Sequence, residues 1–327
     1  MYASSLGAFP MLALATVFCV RVTMISYALL DVYFYNISPP KQGSSEGSHD
    51  RLQQIRSGYY DTAPFNRSKL LPPFFNYKEK FHIVPNYHIL MCRIEKVMVT
   101  LSDAIFCYLT NHTEFNANNR RISTENFDNR FCDLQNFANS LTSALGAVNP
   151  PRIQFVLVRH PIDRFLSGFV NKCIIEGRTY VTTCFECKGD MSCFVQQLTI
   201  HLRQIYEMKE NRTYMGVHFA PQSWYCHFNK SIDHLRIIKY SSGREGAVYL
   251  AAVFDNILRE AGVPKCFRNE IRKEMLVGHT QHSTYGGEER RKAELTLMSN
   301  VTLLAEVVRL YYYDFVLFDF DIPHVFR

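Results

Sequence analysis

Lys96 and Thr100 lie in a segment whose pattern predicts a turn between a strand and a helix. His88 to Ile94 is a mostly apolar run typical of a buried strand, and Val99 to Leu109 has the apolar spacing of a helix. A turn that enters a helix presents free backbone N–H groups and the positive end of the helix dipole, so it can bind an anion. This turn has no glycine and no Walker pattern, so by itself it fits a surface lysine beside a capping threonine equally well.

Arg159 and Ser167 form a second candidate anion site. Ile153 to Val158 reads as a buried strand, Arg159 follows it, and Pro161 suits the first turn of a helix that continues to about Lys172. An arginine at the carboxyl end of a strand lies where open α/β sheets bind ligands, and its guanidinium group matches phosphate oxygens. An ordinary helix serine is the alternative interpretation of Ser167. Together the two segments favour an anion site over isolated surface residues.

The remaining pattern predicts the elements that must position these side chains. A strand is expected at His234 to Tyr240, a helix at Glu245 to Ala261, and a helical region at Glu288 to Tyr313 that leads into a packed aromatic tail at Phe315 to Phe320. The alternation predicts an α/β fold with a mostly parallel sheet flanked by helices. With 327 residues, 47% of them hydrophobic, the chain can bury a full core.

The charge balance suits an anionic ligand. The 36 basic and 30 acidic residues give a net charge of +6, spread through the chain. No Lys/Arg run or strongly basic helix face indicates a nucleic-acid partner, and we expect none.

The N-terminal region predicts membrane attachment. Residues 6–30 are apolar apart from Arg21, and five Asn-x-Ser/Thr acceptors follow, with a poorer one at Asn36: Asn66, Asn111, Asn211, Asn229 and Asn300. Because acceptors must be lumenal to be used, we expect a cytoplasmic tail at 1–5, a signal anchor at 6–30, a stem at 31–69 and a lumenal domain at 70–327. A cleaved signal peptide is the alternative.

Nine cysteines lie beyond the apolar segment: Cys92, Cys107, Cys132, Cys173, Cys184, Cys187, Cys193, Cys226 and Cys266. In an oxidising lumen we expect disulfides, and an odd number implies that at least one cysteine stays free or pairs with another chain. Cys184 and Cys187, with Cys193 and Cys173, have part of the spacing of a zinc site, but the compartment favours bridges.

Four stretches carry a family resemblance. They are CRIEKVMVTLSDAIFCYL from Cys92, FVLVRHPIDRFLSGFVNKC from Phe155, HFAPQSWYC from His218 with IIKY from Ile237, and HTQHSTYGGEERR with YYYDFVLFDF near the end. In this order, over about Tyr77 to Phe320, the chain resembles the Golgi carbohydrate sulfotransferases that act on chondroitin, dermatan and related glycans, particularly the chondroitin/dermatan 4-O-sulfotransferase-like members and their nematode branch. The resemblance implies a P-loop-like sulfotransferase core and a Golgi membrane location.

The resemblance also implies roles for the candidate residues. The donor would be 3′-phosphoadenosine 5′-phosphosulfate, with its 5′-phosphosulfate bound by Lys96 and Thr100 and its 3′-phosphate bound by Arg159 and Ser167. Lys96 would also neutralise charge on the leaving phosphate, and no metal is needed. The acceptor would be a glycosaminoglycan or a similar glycan.

The acceptor hydroxyl needs a base, for which histidine is suited. His218 is the first candidate because it lies in a matching stretch, and His282 and His160 follow. Arg164 is expected to assist the phosphate site or to form a surface ion pair, and Arg290 with its neighbour Arg291 either faces an acidic substrate group or lies in a solvated helical turn.

Two alternatives stay open from the sequence. Glu95 precedes the lysine where many members have proline, which suggests a catalytically inactive member that binds an anionic glycan; the intact Lys96, Arg159 and Ser167 oppose it. A nucleotide-dependent kinase is disfavoured because the Walker glycines are missing.

Overall fold

A computed structural model describes residues 45–126, 130–132, 135–179, 183–209, 211–277 and 286–323. The apolar segment predicted at 6–30 lies outside these ranges. From Ser45 onward, none of the described helices is both long and apolar enough to cross a membrane.

A five-stranded sheet forms the centre of the fold. Its strands are β1 (Phe81–Val84), β2 (Ile89–Cys92), β3 (Phe137–Ala138), β4 (Ile153–Arg159) and β5 (Arg236–Tyr240), in the order β3-β1-β2-β4-β5. β2, β4 and β5 are parallel neighbours, so their carboxyl ends share one edge.

Helices flank the sheet. In chain order they are α1 (Ser45–Ser57), α2 (Val99–Thr110), α3 (His112–Ala117), α4 (Leu141–Ala147), α5 (Pro161–Phe169), α6 (Met191–Met208), α7 (Tyr214–Phe219), α8 (Phe228–Ser231), α9 (Arg244–Glu260), α10 (Lys265–Leu276), α11 (Glu288–Ser299), α12 (Val301–Leu310) and α13 (Tyr312–Leu317). A π-helix, Val170–Ile175, continues α5.

The predicted α/β class is confirmed, but the sheet is mixed rather than mostly parallel. β1 pairs antiparallel with both β2 and β3, so only two of the four strand pairings are parallel. The reason is the connection between β1 and β2, a single short turn at Pro85–Tyr87, which is too short to cross over to a parallel strand.

Two helical predictions differ from the structure in detail. The helix expected from Pro161 to Lys172 changes to π-helical geometry at Val170. The helical region expected at Glu288 to Tyr313 is divided into three helices, and the last of them includes Phe315 of the aromatic tail. That tail is packed as predicted, since Phe315 and Phe318 are buried.

The later part of the predicted stem packs on the domain. In α1, Ile55 is buried, Arg51 Nη1 donates to the Val316 carbonyl at 3.1 Å, and Arg56 Nη2 donates to Asp233 Oδ2 at 2.8 Å. These contacts hold α1 against Val316 of α13 and against the segment that precedes β5.

Gly168 lets α5 and α7 approach closely. A Cβ atom at this position would lie 2.7 Å from the Phe219 ring, closer than two carbon atoms can approach without a shift. The glycine therefore allows α7, which carries His218, to pack directly against α5, which carries Ser167.

The predicted disulfides are confirmed. The pairs are Cys92–Cys226, Cys107–Cys132, Cys173–Cys184 and Cys187–Cys193. Cys266 is also disulfide-bonded, so the expectation of a free cysteine, or one paired with another chain, is wrong within the described residues. The residues with zinc-like spacing are therefore bridged, and no group of metal-ligand side chains in the described part of the chain could hold an ion.

The bridge between Cys92 and Cys226 should contribute most to stability. It closes 134 residues, whereas Cys187–Cys193 closes six. From loop-closure entropy, we expect paired Cys→Ser replacement to lower the free energy of unfolding by about 5 kcal/mol for the long bridge and by about 2 kcal/mol for the short one. Urea unfolding of both double variants measures this, and equal losses would contradict it.

Candidate active site

The turn between β2 and α2 has a backbone conformation that glycine usually provides. Lys96 and Met98 have φ angles of 65° and 52°, in the left-handed region that costs other residues about 1–2 kcal/mol each. Two arginines secure this turn: Arg159 Nη1 donates to the Lys96 carbonyl at 3.2 Å, and Arg164 Nε donates to the Glu95 carbonyl at 2.9 Å. The turn is therefore fixed from outside and needs no glycine.

Arg159, the last residue of β4, is only 6% exposed. Its Nη2 donates to Ser242 Oγ at 2.6 Å, and the Gln222 side chain pairs with both the N–H and the carbonyl of Arg159, at 2.9 and 2.8 Å. Its Nε is buried and makes no hydrogen bond within the described part of the chain; the Asp163 carboxylate lies 3.7 Å away. The guanidinium group is thus positioned firmly but not saturated.

Arg164 is a buried linker and does not form the surface ion pair considered from the sequence. It is 2% exposed, and besides the Glu95 carbonyl it donates to the Ala220 carbonyl at 2.7 Å and to the Tyr225 hydroxyl at 3.3 Å. Burying a guanidinium group is costly unless its N–H groups are paired. The arginine consequently ties the Lys96 turn to the segment after α7.

The Lys96 ammonium group is held by a neighbour on the π-helix. It donates to Asn171 Oδ1. Burial first, and then the Lys172 charge, lower the pKa of Lys96 to about 7, although the Glu176 carboxylate opposes this shift. A bound anion would favour the charged form again, so this lysine is suited to an anionic ligand.

Thr100 and Ser167 lie on the helices that follow the two strands. Thr100 is the second residue of α2 and is partly buried. Ser167, on α5, is 9% exposed, and its hydroxyl makes no hydrogen bond to another described residue. Because β2 and β4 are parallel neighbours, Lys96, Thr100, Arg159 and Ser167 all follow the same edge of the sheet.

His218 on α7 has the form that a base requires. Its Nδ1 lies 2.7 Å from the Tyr214 carbonyl, and because a carbonyl can only accept, Nδ1 carries the proton and Nε2 keeps its lone pair. Burial first, and then the Lys96 charge, lower the pKa of His218 to about 4. The imidazole is therefore neutral at pH 7 and belongs to the same electrostatic cluster as Lys96.

An exposed aromatic ring borders this histidine. Tyr214 is 48% exposed, and its ring centroid lies 4.7 Å from that of His218. Its hydroxyl donates to Glu176 Oε2 at 2.5 Å, Lys172 donates to Glu176 Oε1 at 2.5 Å, and the Lys172 ammonium lies 5.1 Å from the Tyr214 ring centroid. These contacts fix the orientation of an otherwise solvent-facing ring.

Glu95 belongs to a buried ion-pair group behind the turn. Its carboxylate accepts hydrogen bonds from Lys78 and Arg93, and Arg93 Nε also donates to Asp103 Oδ1 at 3.1 Å. Burial by itself would raise the pKa of Glu95, but the Arg93 and Lys78 charges lower it well below its usual value. Its negative charge is therefore balanced by cations of the protein.

Other candidates from the sequence lie elsewhere. The His160 ring packs 5.4 Å from Phe315 and 5.5 Å from Phe320, in a packing role rather than in the His218 cluster. His282 lies outside the described residues. Arg290 is buried rather than solvated, whereas Arg291 is exposed.

Sequence reasoning missed several site residues. Ser242 could have been found, because it follows β5 at the same carboxyl edge as the Lys96 turn. Gln222 gave no signal, since its partner Arg159 is 63 residues away. Asn171 and Lys172 could not be assigned to the site, because the π-helix changes the α-helical spacing from which the sequence analysis inferred which residues share a face.

Comparisons with known proteins agree with this architecture. The sulfotransferase family model matches residues 79–321, and the chain belongs to that family. It is 33% identical over 279 residues to the carbohydrate sulfotransferase chst-1 of Caenorhabditis elegans, covering 83% of this chain and 82% of that protein. The putative sulfotransferase vep-2 of the same organism is 30% identical over 234 residues, which cover 68% of each chain. The C. elegans protein C18B2.2 is 27% identical over 270 residues, which cover 80% of this chain and 74% of that protein. The comparison with solved structures gave no significant match.

We expect His218 to stay neutral, with the proton on Nδ1, until the pH falls to about 4. The unfolded chain takes up this proton near the ordinary value of 6.5, so this residue destabilises the fold progressively as the pH falls from 6.5 to about 4. ¹H–¹⁵N spectra of histidine-labelled protein, assigned with His218→Asn, measure both properties. A pKa near 6.5 or a proton on Nε2 would contradict the assignment.

Proposed function

We propose that the protein transfers a sulfuryl group from 3′-phosphoadenosine 5′-phosphosulfate to a sugar hydroxyl of chondroitin or a similar glycosaminoglycan. The observation that carries this proposal is the meeting of a desolvated lysine, a buried arginine and a neutral histidine at one sheet edge. Arg159 contacts the Lys96 carbonyl, and the Lys96 charge lowers the pKa of His218. The similarity to a carbohydrate sulfotransferase supports the acceptor class.

The residues present fit this donor. Lys96 and Thr100 would bind its 5′-phosphosulfate, and Arg159 with Ser167 its 3′-phosphate. The Nε of Arg159 makes no hydrogen bond to a described residue and the ammonium of Lys96 is desolvated, so each gains from a charged hydrogen bond to an anion. The ion pairs of Glu95 remove the main objection to donor binding, which favours an active enzyme over an inactive glycan-binding member.

His218 and Lys96 would share the chemistry. The donor supplies the sulfuryl group. His218 Nε2 takes the proton from the sugar hydroxyl, whose oxygen forms the new bond to sulfur, while the bond from sulfur to the phosphate oxygen breaks. Lys96 neutralises the charge that develops on that oxygen, and 3′-phosphoadenosine 5′-phosphate leaves. As in phosphoryl transfer, positioning and charge stabilisation supply most of the catalysis.

Tyr214 would carry the acceptor. A sugar ring stacks its C–H face on an exposed aromatic ring, and this ring lies beside the proposed base. Its fixed orientation reduces the entropy lost when the sugar binds.

The compartment proposed is the Golgi lumen, with a type II anchor at 6–30. The disulfides support an oxidising compartment, and the Asn-x-Ser/Thr acceptors after the anchor support a lumenal domain.

Replacing Lys96 and replacing Arg159, which would both bind the sulfate donor, should have different kinetic effects. We expect Lys96→Ala to lower kcat by about 10²–10³-fold, because a stabiliser of the leaving oxygen is lost. Arg159→Ala should raise the KM for the donor by about 10–100-fold, because a charged hydrogen-bonding group is lost. Radiolabelled sulfate transfer to chondroitin by the full chain measures both. Lys292→Ala, which affects a surface ion pair with Glu288, serves as the control. Undiminished transfer by a folded Lys96→Ala protein would overturn the proposal.

Removing the Tyr214 ring should affect the acceptor alone. We expect Tyr214→Ala to raise the KM for the glycan by about tenfold, whereas Tyr214→Phe keeps the ring and stays within about threefold. Affinity for 3′-phosphoadenosine 5′-phosphate should not change in either variant. An unchanged KM for the glycan in Tyr214→Ala would show that the acceptor sugar does not stack on the Tyr214 ring.

A further inference from the structure

Arg290 is a buried cation beside the proposed 3′-phosphate site. It is 6% exposed, although it lies in the first turn of α11 next to the exposed Arg291. Its Nη2 donates to Asp163 Oδ1, and its Nη1 lies 3.4 Å from the Asp163 carbonyl. A helix from the end of the chain thereby contributes a guanidinium group to the start of α5.

The Asp163 carboxylate is shared between two arginines. Oδ1 pairs with Arg290, and Oδ2 lies 3.7 Å from Arg159 Nε. Burial alone would raise the pKa of Asp163, but the charges of Arg159 and then Arg290 lower it, so the carboxylate is ionised. A second carboxylate, that of the half-exposed Glu294, balances the other guanidinium charge from the rim of the cluster.

The hydrogen bonding of this cluster is incomplete. The Nε atoms of Arg159 and Arg290 are both buried, and neither donates to another group among the described residues. Arg290 Nε is 3.8 Å from the Glu294 carboxylate, too far for a hydrogen bond. Two buried donors on charged groups, without partners among the described residues, fit a site that binds an anion with several oxygens.

We propose that Arg290 is a further donor-binding residue, which binds the 3′-phosphate together with Arg159 and makes the protein selective for 3′-phosphorylated nucleotides. This inference rests on the proposed function. A phosphate monoester has three terminal oxygens, enough to accept hydrogen bonds from both guanidinium groups. Asp163 is a positioning residue that keeps the two arginines in place before the nucleotide binds.

The test compares 3′-phosphoadenosine 5′-phosphate with adenosine 5′-phosphate, which lacks only the 3′-phosphate. Calorimetry on the full chain gives the Kd of each. We expect the unmodified protein to prefer the 3′-phosphorylated nucleotide, and Arg290→Gln to raise its Kd by about 10–100-fold while the Kd of adenosine 5′-phosphate stays within about threefold. Arg291→Gln, the exposed neighbour, should leave both values unchanged.

Each other outcome is decisive. If Arg290→Gln leaves the ratio of the two Kd values unchanged, including the case in which it weakens the binding of both nucleotides equally, Arg290 does not contact the 3′-phosphate. If Arg290→Gln fails to fold, Arg290→Lys keeps the charge beside Asp163 but loses Nε, and the ratio should still fall; an unchanged ratio overturns the proposal. If the unmodified protein itself does not distinguish the nucleotides, the donor assignment fails, and the role of Arg290 with it.

Discussion

The turn between β2 and α2, which carries Lys96, depends on two buried guanidinium groups. Arg159 and Arg164 donate to the carbonyls of Lys96 and Glu95, and Arg164 also holds the carbonyl of Ala220. The acceptors are main-chain atoms, so the arginines fix the path of the backbone whatever side chains the turn carries. Because these hydrogen bonds offset part of the cost of burying the two arginines, the arrangement stabilises a left-handed, glycine-free turn that would otherwise be strained.

The position of Arg159 depends in turn on the C-terminal part of the chain. Asp314 on α13 is fully buried and accepts hydrogen bonds from the backbone N–H groups of Gln222 and Ser223, at 2.6 and 2.9 Å. The Gln222 side chain then pairs with both backbone polar groups of Arg159. A continuous set of hydrogen bonds therefore joins the aromatic C-terminal region to the end of β4, which explains why that region is packed rather than free.

Burial also sets the protonation states at the site. Together with neighbouring positive charges, it lowers the pKa of Lys96 to about 7 and that of His218 to about 4, and the largest of those charges for His218 is Lys96. An anionic ligand stabilises the lysine ammonium, whose positive charge in turn helps to keep the histidine neutral. The Glu95 carboxylate, itself paired with Arg93 and Lys78, opposes the lowering of both pKa values without cancelling it.

The two strand–turn–helix units, with Lys96 and Arg159 at their junctions, could be predicted from the amino-acid pattern, because apolar periodicity and the order of elements are local properties. It also indicated the α/β class and most bridged cysteines. Three features became visible only in the folded chain: the antiparallel half of the sheet, the burial of Arg164 and the pairing of Arg290 with Asp163. Arg164 and Arg290 find their partners 56 and 127 residues away, and no local pattern records which distant groups folding brings together.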